Sequence, residues 1–139
     1  MTKNRYSPKA VLFVCHGNRN RSPTGEKIFK NMLKQRGYIP YEMETIETHE
    51  VYVSSAGTCA DESDQANQVD RELADNQDII FALDSYIEKV LTKSYNQPRR
   101  KIINLEIPDI YSRNNPILIK KLEKLLTPYI NKWYPTKKP

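Results

Sequence analysis

Apolar residues along this chain fall into short dense runs separated by longer amphipathic stretches. Lys9 to Val14 carries the run Val-Leu-Phe-Val without polar alternation, the pattern of a strand covered on both faces at the centre of a parallel sheet. From Ser22 or Pro23 to Arg36 the period becomes helical: Ile28, Phe29, Met32 and Leu33 form one stripe, the last turn is basic and Gly37 can close it. Val51 to Ser55 reads as a second strand, residues 56–66 as a loop and Val69 to Ala74 as a short helix. Asp78 to Leu83 is a third buried strand, after which Asp84 or Ser85 caps a helix bearing Tyr86, Ile87, Val90 and Leu91. Lys101 to Ile107 is a fourth strand, ended by Pro108. Asn115-Pro116 is a strong helix start, since proline's missing N–H does no harm in a first turn. Leu118, Leu122, Leu125, Leu126, Tyr129, Ile130 and Trp133 follow at helical spacing, and the terminal Lys-Lys-Pro is expected to fray.

Four alternations of strand and helix predict an α/β fold, a three-layer sandwich around a central four-stranded parallel sheet. No repeat or linker divides the sequence, so residues 1–139 are read as one domain. In such folds ligands bind beyond the carboxyl ends of the strands, where the strand order reverses. The loop leaving the first strand is therefore the place to look for chemistry.

Composition narrows the classes without choosing among enzymes. With 139 residues, 38% hydrophobic and 28% charged, the chain can bury a domain-sized core. Its longest apolar run, Val11 to Cys15, is far below the roughly 20 residues that span a bilayer, and no membrane association is expected. The polar N-terminus has no signal-peptide core, and two cysteines make no disulfide framework, so a reducing, cytoplasmic location is expected. The net charge of +5 conceals a basic first block (residues 1–40, Glu26 its only acid), an acidic middle and a basic last block. Neither basic block has the aromatic interleaving of a nucleic-acid binder, and nucleic acid is not expected as a partner.

The loop reads Cys15-His16-Gly17-Asn18-Arg19-Asn20-Arg21-Ser22-Pro23. A cysteine ending a buried strand, a glycine permitting a tight turn and Ser-Pro opening a helix together suit an anion site, whose donors are successive loop N–H groups backed by the helix dipole. Arg21 can grip two phosphate oxygens at once, which lysine does less well. A free thiol titrates near about 8.5 and is mostly protonated at neutral pH, while the nucleophile is the thiolate. A helix terminus supplies at most about 2 kcal/mol of anion stabilisation, so the loop amides and Arg21 must supply the rest. Ser22 is placed to donate to the sulfur.

The run Val-Leu-Phe-Val-Cys-His-Gly-Asn-Arg-Asn-Arg-Ser-Pro-Thr resembles the phosphate-binding loop, Cys-x5-Arg-Ser, of the low-molecular-weight protein tyrosine phosphatases. Ser54-Ser55-Ala56-Gly57-Thr58, Asp78 to Asp84 and Ile107-Pro108-Asp109-Ile110-Tyr111 resemble later blocks of that family in the same order. The resemblance implies metal-free, cofactor-free hydrolysis of a phosphomonoester through a phosphocysteine, with a phosphotyrosine protein or small aryl phosphate as substrate. Cys15 would be the nucleophile and Asp109 the general acid. Arg21 and the loop residues His16, Gly17, Asn18, Arg19, Asn20 and Ser22 would hold the phosphate, with Ser55 bracing the loop together with Asn18.

This chain departs from the pattern in places. Arg19 stands where relatives commonly have a second loop cysteine, so no disulfide can form within the loop. Ile110 replaces a proline after the acid, and the segment between Thr58 and Asp78, which carries substrate recognition in larger members, is short. Tyr111 is left between two readings, pocket wall and packing. An arsenate reductase-like activity is the first alternative, but it needs a thiol relay, and Cys59 is read as a free thiol of the polar 57–67 loop. A non-catalytic phosphate-binding module is the second, and it would have no use for a thiolate.

Overall fold

The computed structural model describes residues 6–42, 50–61 and 66–137. Part of the expected 57–67 loop (residues 62–65), much of the polar N-terminal stretch (1–5) and the last two residues of the expected frayed end therefore lie outside the described residues. Four parallel strands, β1 (Ala10–Cys15), β2 (Tyr52–Gly57), β3 (Ile79–Ala82) and β4 (Ile102–Asn104), lie in the order β2-β1-β3-β4. The unbroken apolar run of β1 is explained by this placement. It has a strand on either side and a helical layer on either face, so no residue from Val11 to Val14 meets water.

The helices are α1 (Arg21–Gln35), α2 (Arg71–Asp75), α3 (Ser85–Lys93) and α4 (Pro116–Trp133). Alternate side chains of the strands sort the core into two clusters. Val11, Phe13, Ile79 and Phe81 pack with Phe29 and Leu33 of α1 and Leu118, Leu122, Leu126 and Trp133 of α4. Leu12, Val14, Ile80 and Ala82 pack with Ala74 of α2 and Ile87 and Leu91 of α3. The result is the expected three-layer α/β sandwich. Phe13 and Phe81 stack at 4.8 Å between centroids, with Phe29 edge-on to Phe13 at 5.7 Å. Tyr134, just past α4, is buried and donates its hydroxyl to the Pro8 carbonyl at 2.5 Å, and burial pushes that phenol well above its usual range.

The caps follow the sequence closely. Asp70, Asp84 and Asn115 each accept a backbone N–H in the first turn of the helix they precede, and Gly37 takes a positive φ after α1. Pro128 lies inside α4 on its exposed side, where the carbonyl it leaves unpaired can bond water. Tyr86 and Leu125, both expected on apolar stripes, are exposed instead, because each sits at the edge of its helix's buried arc. The fourth strand is shorter than Lys101 to Ile107: residues 99–101 form a turn of 3-10 helix, and the ladder ends at Asn104. Glu106 takes φ 54°, breaking the strand, while Leu105 and Ile107 still donate to the carbonyls of Ala82 and Leu83 at 2.9 and 2.7 Å. That kink carries the chain over the end of β3 toward the β1–α1 loop.

Phe81 is fully buried and touches the rings of Phe13, Phe29, Tyr129 and Trp133. Phe81→Ala is expected to lower unfolding free energy by about 3–5 kcal/mol, read as a lower urea midpoint at unchanged slope.

Candidate active site

Strand order reverses at β1, whose carboxyl end is Cys15, and the β1–α1 loop opens into a cavity of about 210 Å³. Cys15, His16, Gly17, Arg19, Asn20, Arg21 and Asp109 line it, together with Cys59 and Asp61. The Cys15 side chain is nearly buried. Its sulfur accepts the Asn18 N–H at 3.2 Å and lies 3.0 Å from the Ser22 hydroxyl. Asn18 Nδ2 donates to Ser22 Oγ at 2.9 Å, which occupies an acceptor site of that oxygen and leaves the hydroxyl hydrogen for the sulfur, since the alternative acceptor, Ala56 O, is at 3.4 Å.

Asn18 is the pivot of the loop. It holds φ 55°, a conformation Asn tolerates better than most residues, and its buried side chain uses both ends. Nδ2 donates to Ser22 and to Ser55 Oγ (2.9 Å), and Oδ1 accepts the Asn67 N–H (2.8 Å). Ser55 in turn donates to Glu26 Oε1 at 2.7 Å, and Lys30 holds the other carboxylate oxygen at 2.7 Å. Asn18 and Ser22 therefore face the interior rather than the cavity, and their part in an anion site runs through backbone N–H and sulfur. His16, Gly17, Arg19, Asn20 and Arg21 are the loop residues the structure brings to the cavity itself.

Two features keep the loop close to the sheet and open to an anion. A Cβ on Gly57 would lie 2.6 Å from the His16 carbonyl and 2.8 Å from the Asn18 nitrogen, so only glycine lets β2 pass there. The first turn of α1 has no acidic residue and no side-chain cap, since Asn20 makes no capping bond. No side-chain cap is therefore spent on its first N–H groups, those of Arg21 and Ser22, at the end of the helix whose dipole is positive.

Arg21 is 1% exposed, an uncommon burial for a guanidinium. Nη1 donates to Asp84 Oδ2 at 2.8 Å and to the Ile107 carbonyl at 2.6 Å. Asp84 does double duty, because Oδ1 accepts the Ile87 N–H and caps α3. Nε has no hydrogen-bond partner and stands 3.6 Å from Asp109 Oδ1, an ion pair whose carboxylate side chain is 55% exposed. The loop after Asp109 is tied back where the Asn114 N–H donates to Thr24 Oγ1 at 3.2 Å. Tyr111 packs against the core, which decides between its two readings in favour of packing, and Ile110 is 73% exposed.

Sequence reasoning missed Glu26, Asn67, Asp61 and the grip of Asp84 on Arg21. Glu26 carried a signal, as the only acid in the first forty residues; Asn67 carried none. Cys59 is corrected in its surroundings: it is a free, exposed thiol, but it lines the same cavity as Cys15. Among the described residues no group of three His, Cys, Asp or Glu could hold a metal, and no helix is long and apolar enough to cross a membrane.

Removing the Asn18 side chain takes one hydrogen bond each from the buried Ser22 and Ser55 and from the Asn67 N–H. Asn18→Gly is expected to cost about 1–3 kcal/mol in chemical denaturation, and Asn18→Ala about 1–2 kcal/mol more, because alanine also has to hold the left-handed conformation.

The model of the family described as low molecular weight phosphotyrosine protein phosphatase matches residues 10–117, from β1 into α4. Among solved structures, the tyrosine phosphatase AmsI of Erwinia amylovora is 21% identical over 91% of this chain and 94% of its own, with a TM-score of 0.68. The tyrosine phosphatase Wzb of Escherichia coli K30, crystallised with phosphate, is 20% identical over 90% and 98%, with a TM-score of 0.67. YwlE, described as an arginine phosphatase and known from Bacillus subtilis, is 18% identical over 92% and 99%, with a TM-score of 0.66. At such identities the structural likeness speaks for the fold alone. No curated protein sequence matches. On the family model, which spans the sheet, the Cys15 loop and the Asp109 loop, the chain belongs to the low molecular weight phosphotyrosine protein phosphatase family.

Proposed function

We propose that the protein hydrolyses phosphomonoesters by nucleophilic catalysis at Cys15, without metal or cofactor. The observation that carries this reading is the placement of the Cys15 thiol, the buried Arg21 guanidinium and the exposed Asp109 carboxylate around a single small cavity, beside an uncapped helix N-terminus. In the first step Cys15 sulfur attacks phosphorus in line, the bond to the leaving oxygen breaks and Asp109 delivers its proton to that oxygen. Arg21 and the loop N–H groups hold the equatorial oxygens as charge moves onto them. Water then attacks the phosphocysteine, Asp109 takes the water's proton, and sulfur leaves as a thiolate stabilised by the Ser22 hydroxyl. Asp84 and the Ile107 carbonyl fix the guanidinium, so its alignment exists before substrate arrives.

The leaving group is the open part of the reading. Phosphotyrosine or another aryl phosphate is the first candidate, on the family resemblance. A phosphorylated arginine, a phosphoramidate whose leaving atom is nitrogen and would take the Asp109 proton in place of oxygen, is a second, following the description of YwlE as an arginine phosphatase, and one observation favours it here. Among the described residues no Phe, Tyr or Trp lines the cavity, whereas Asp61 and Asp109 both do, which suits a guanidino leaving group better than a phenol ring.

The test is p-nitrophenyl phosphate hydrolysis in the presence of EDTA and a reductant. Cys15→Ser is expected to abolish turnover, and Asp109→Asn to lower kcat by about 10²–10⁴-fold. Turnover that survives Cys15→Ser, or that disappears with EDTA, overturns the mechanism. Comparing kcat/KM for phosphotyrosine and phosphoarginine peptides then separates the two leaving groups.

A further inference from the structure

The two cysteines of the chain line one cavity, although 43 residues of sequence separate them. The arrangement comes from the sheet. In the parallel register of β1 and β2, Cys15 is opposite Gly57. Beyond that pair the backbone stays attached: the Thr58 N–H donates to the Cys15 carbonyl at 3.0 Å, and the Cys59 N–H donates to the His16 carbonyl at 2.7 Å. Cys59 thus lies two residues beyond the strand position opposite Cys15, on backbone held to the next residue of the Cys15 loop, and both thiols line the same small cavity. Within the loop itself no second thiol exists, since Arg19 and Asn20 occupy the positions beside Arg21.

We infer that Cys59 is the resolving thiol of Cys15, and that peroxide converts the pair reversibly into a Cys15–Cys59 disulfide that closes the site. The proposal rests on the reading of Cys15 as the reactive thiolate. The Cys15 thiolate attacks one oxygen of the peroxide; the O–O bond breaks, the second oxygen leaves as water after taking a proton, and Cys15 becomes a sulfenic acid. The Cys59 thiolate then attacks the Cys15 sulfur; the S–O bond breaks, a second water leaves, and the S–S bond forms. The two cysteines lose two electrons in all, and the peroxide is reduced by two. A dithiol reductant restores both thiols by exchange. Without Cys59 the sulfenic acid remains exposed to further peroxide and passes to the sulfinic state, which thiols do not reverse. The bond would hold the Cys15 sulfur away from substrate, so the same event that protects the thiol silences the enzyme.

The experiment exposes the full chain to hydrogen peroxide at low protein concentration and follows intact mass, peptide mass and p-nitrophenyl phosphate turnover before and after dithiothreitol. Wild type is expected to become about 2 Da lighter, to yield a linked pair of peptides containing residues 15 and 59, and to recover most of its own untreated rate on reduction. Cys59→Ser is expected to gain about 32 Da and to recover less than about a tenth of its own untreated rate. Two results overturn the inference: a wild-type chain that gains oxygen as Cys59→Ser does, and a disulfide that appears only between two chains on a non-reducing gel. The mass readout is independent of turnover. A chain that forms the 15–59 bond but hydrolyses no phosphoester retracts the proposed function and leaves this inference standing; an active chain without the bond does the reverse.

Discussion

The site depends on one buried side chain that never touches the cavity. Asn18 turns the loop through a left-handed residue and ties it to α1 through Ser22, to β2 through Ser55 and to the chain beyond β2 through the Asn67 N–H. Those bonds decide where the sulfur of Cys15 and the first N–H groups of α1 point. They also polarise one another along a chain that ends in the Glu26–Lys30 pair, and such a network is rigid only while each member is satisfied. Gly57 makes the close approach possible, because any side chain there would push the loop off the sheet.

A second constraint is the buried cation. A guanidinium out of water is costly unless paired and hydrogen-bonded. Arg21 meets this with Asp84, the Ile107 carbonyl and the nearby Asp109 carboxylate, drawn from the ends of β3 and of the kinked chain after β4. The break at Glu106 has a use in this arrangement: it turns the Ile107 carbonyl and Asp109 toward the arginine, which a strand running straight to Ile107 would not do. Fold and site are thus coupled through one side chain, since the sheet end that buries Arg21 also aims it.

Among the described residues the cavity wall carries no Phe, Tyr or Trp. Tyr111 is partly buried against the core and does not line the cavity, and Asp61 and Cys59 occupy the wall that the chain after β2 supplies. Charged side chains, Arg19, Arg21, Asp61 and Asp109, are what this pocket offers in place of a large ring.

What the sequence determined by itself was everything with a local physical cause. The run Val11 to Val14 specified a central strand because only two-sided burial tolerates it; Asp84, Asn115-Pro116 and Gly37 marked helix ends through their own backbone chemistry; and Cys15, Gly17, Arg21 and Ser22 pointed to an anion loop because their spacing bridges a strand end and a helix start. The tertiary structure decided what required distant residues to meet. Asp84 read as a cap and proved also to hold Arg21, 63 positions away. Fourth-strand pattern ran to Ile107, yet a positive φ at Glu106 ended the ladder at Asn104, and no side-chain pattern encodes that turn. Cys59 read as a loop thiol, and only the β1–β2 register brought it to the cavity that Cys15 lines, because pairing between strands depends on the whole sheet and not on the residues around either cysteine.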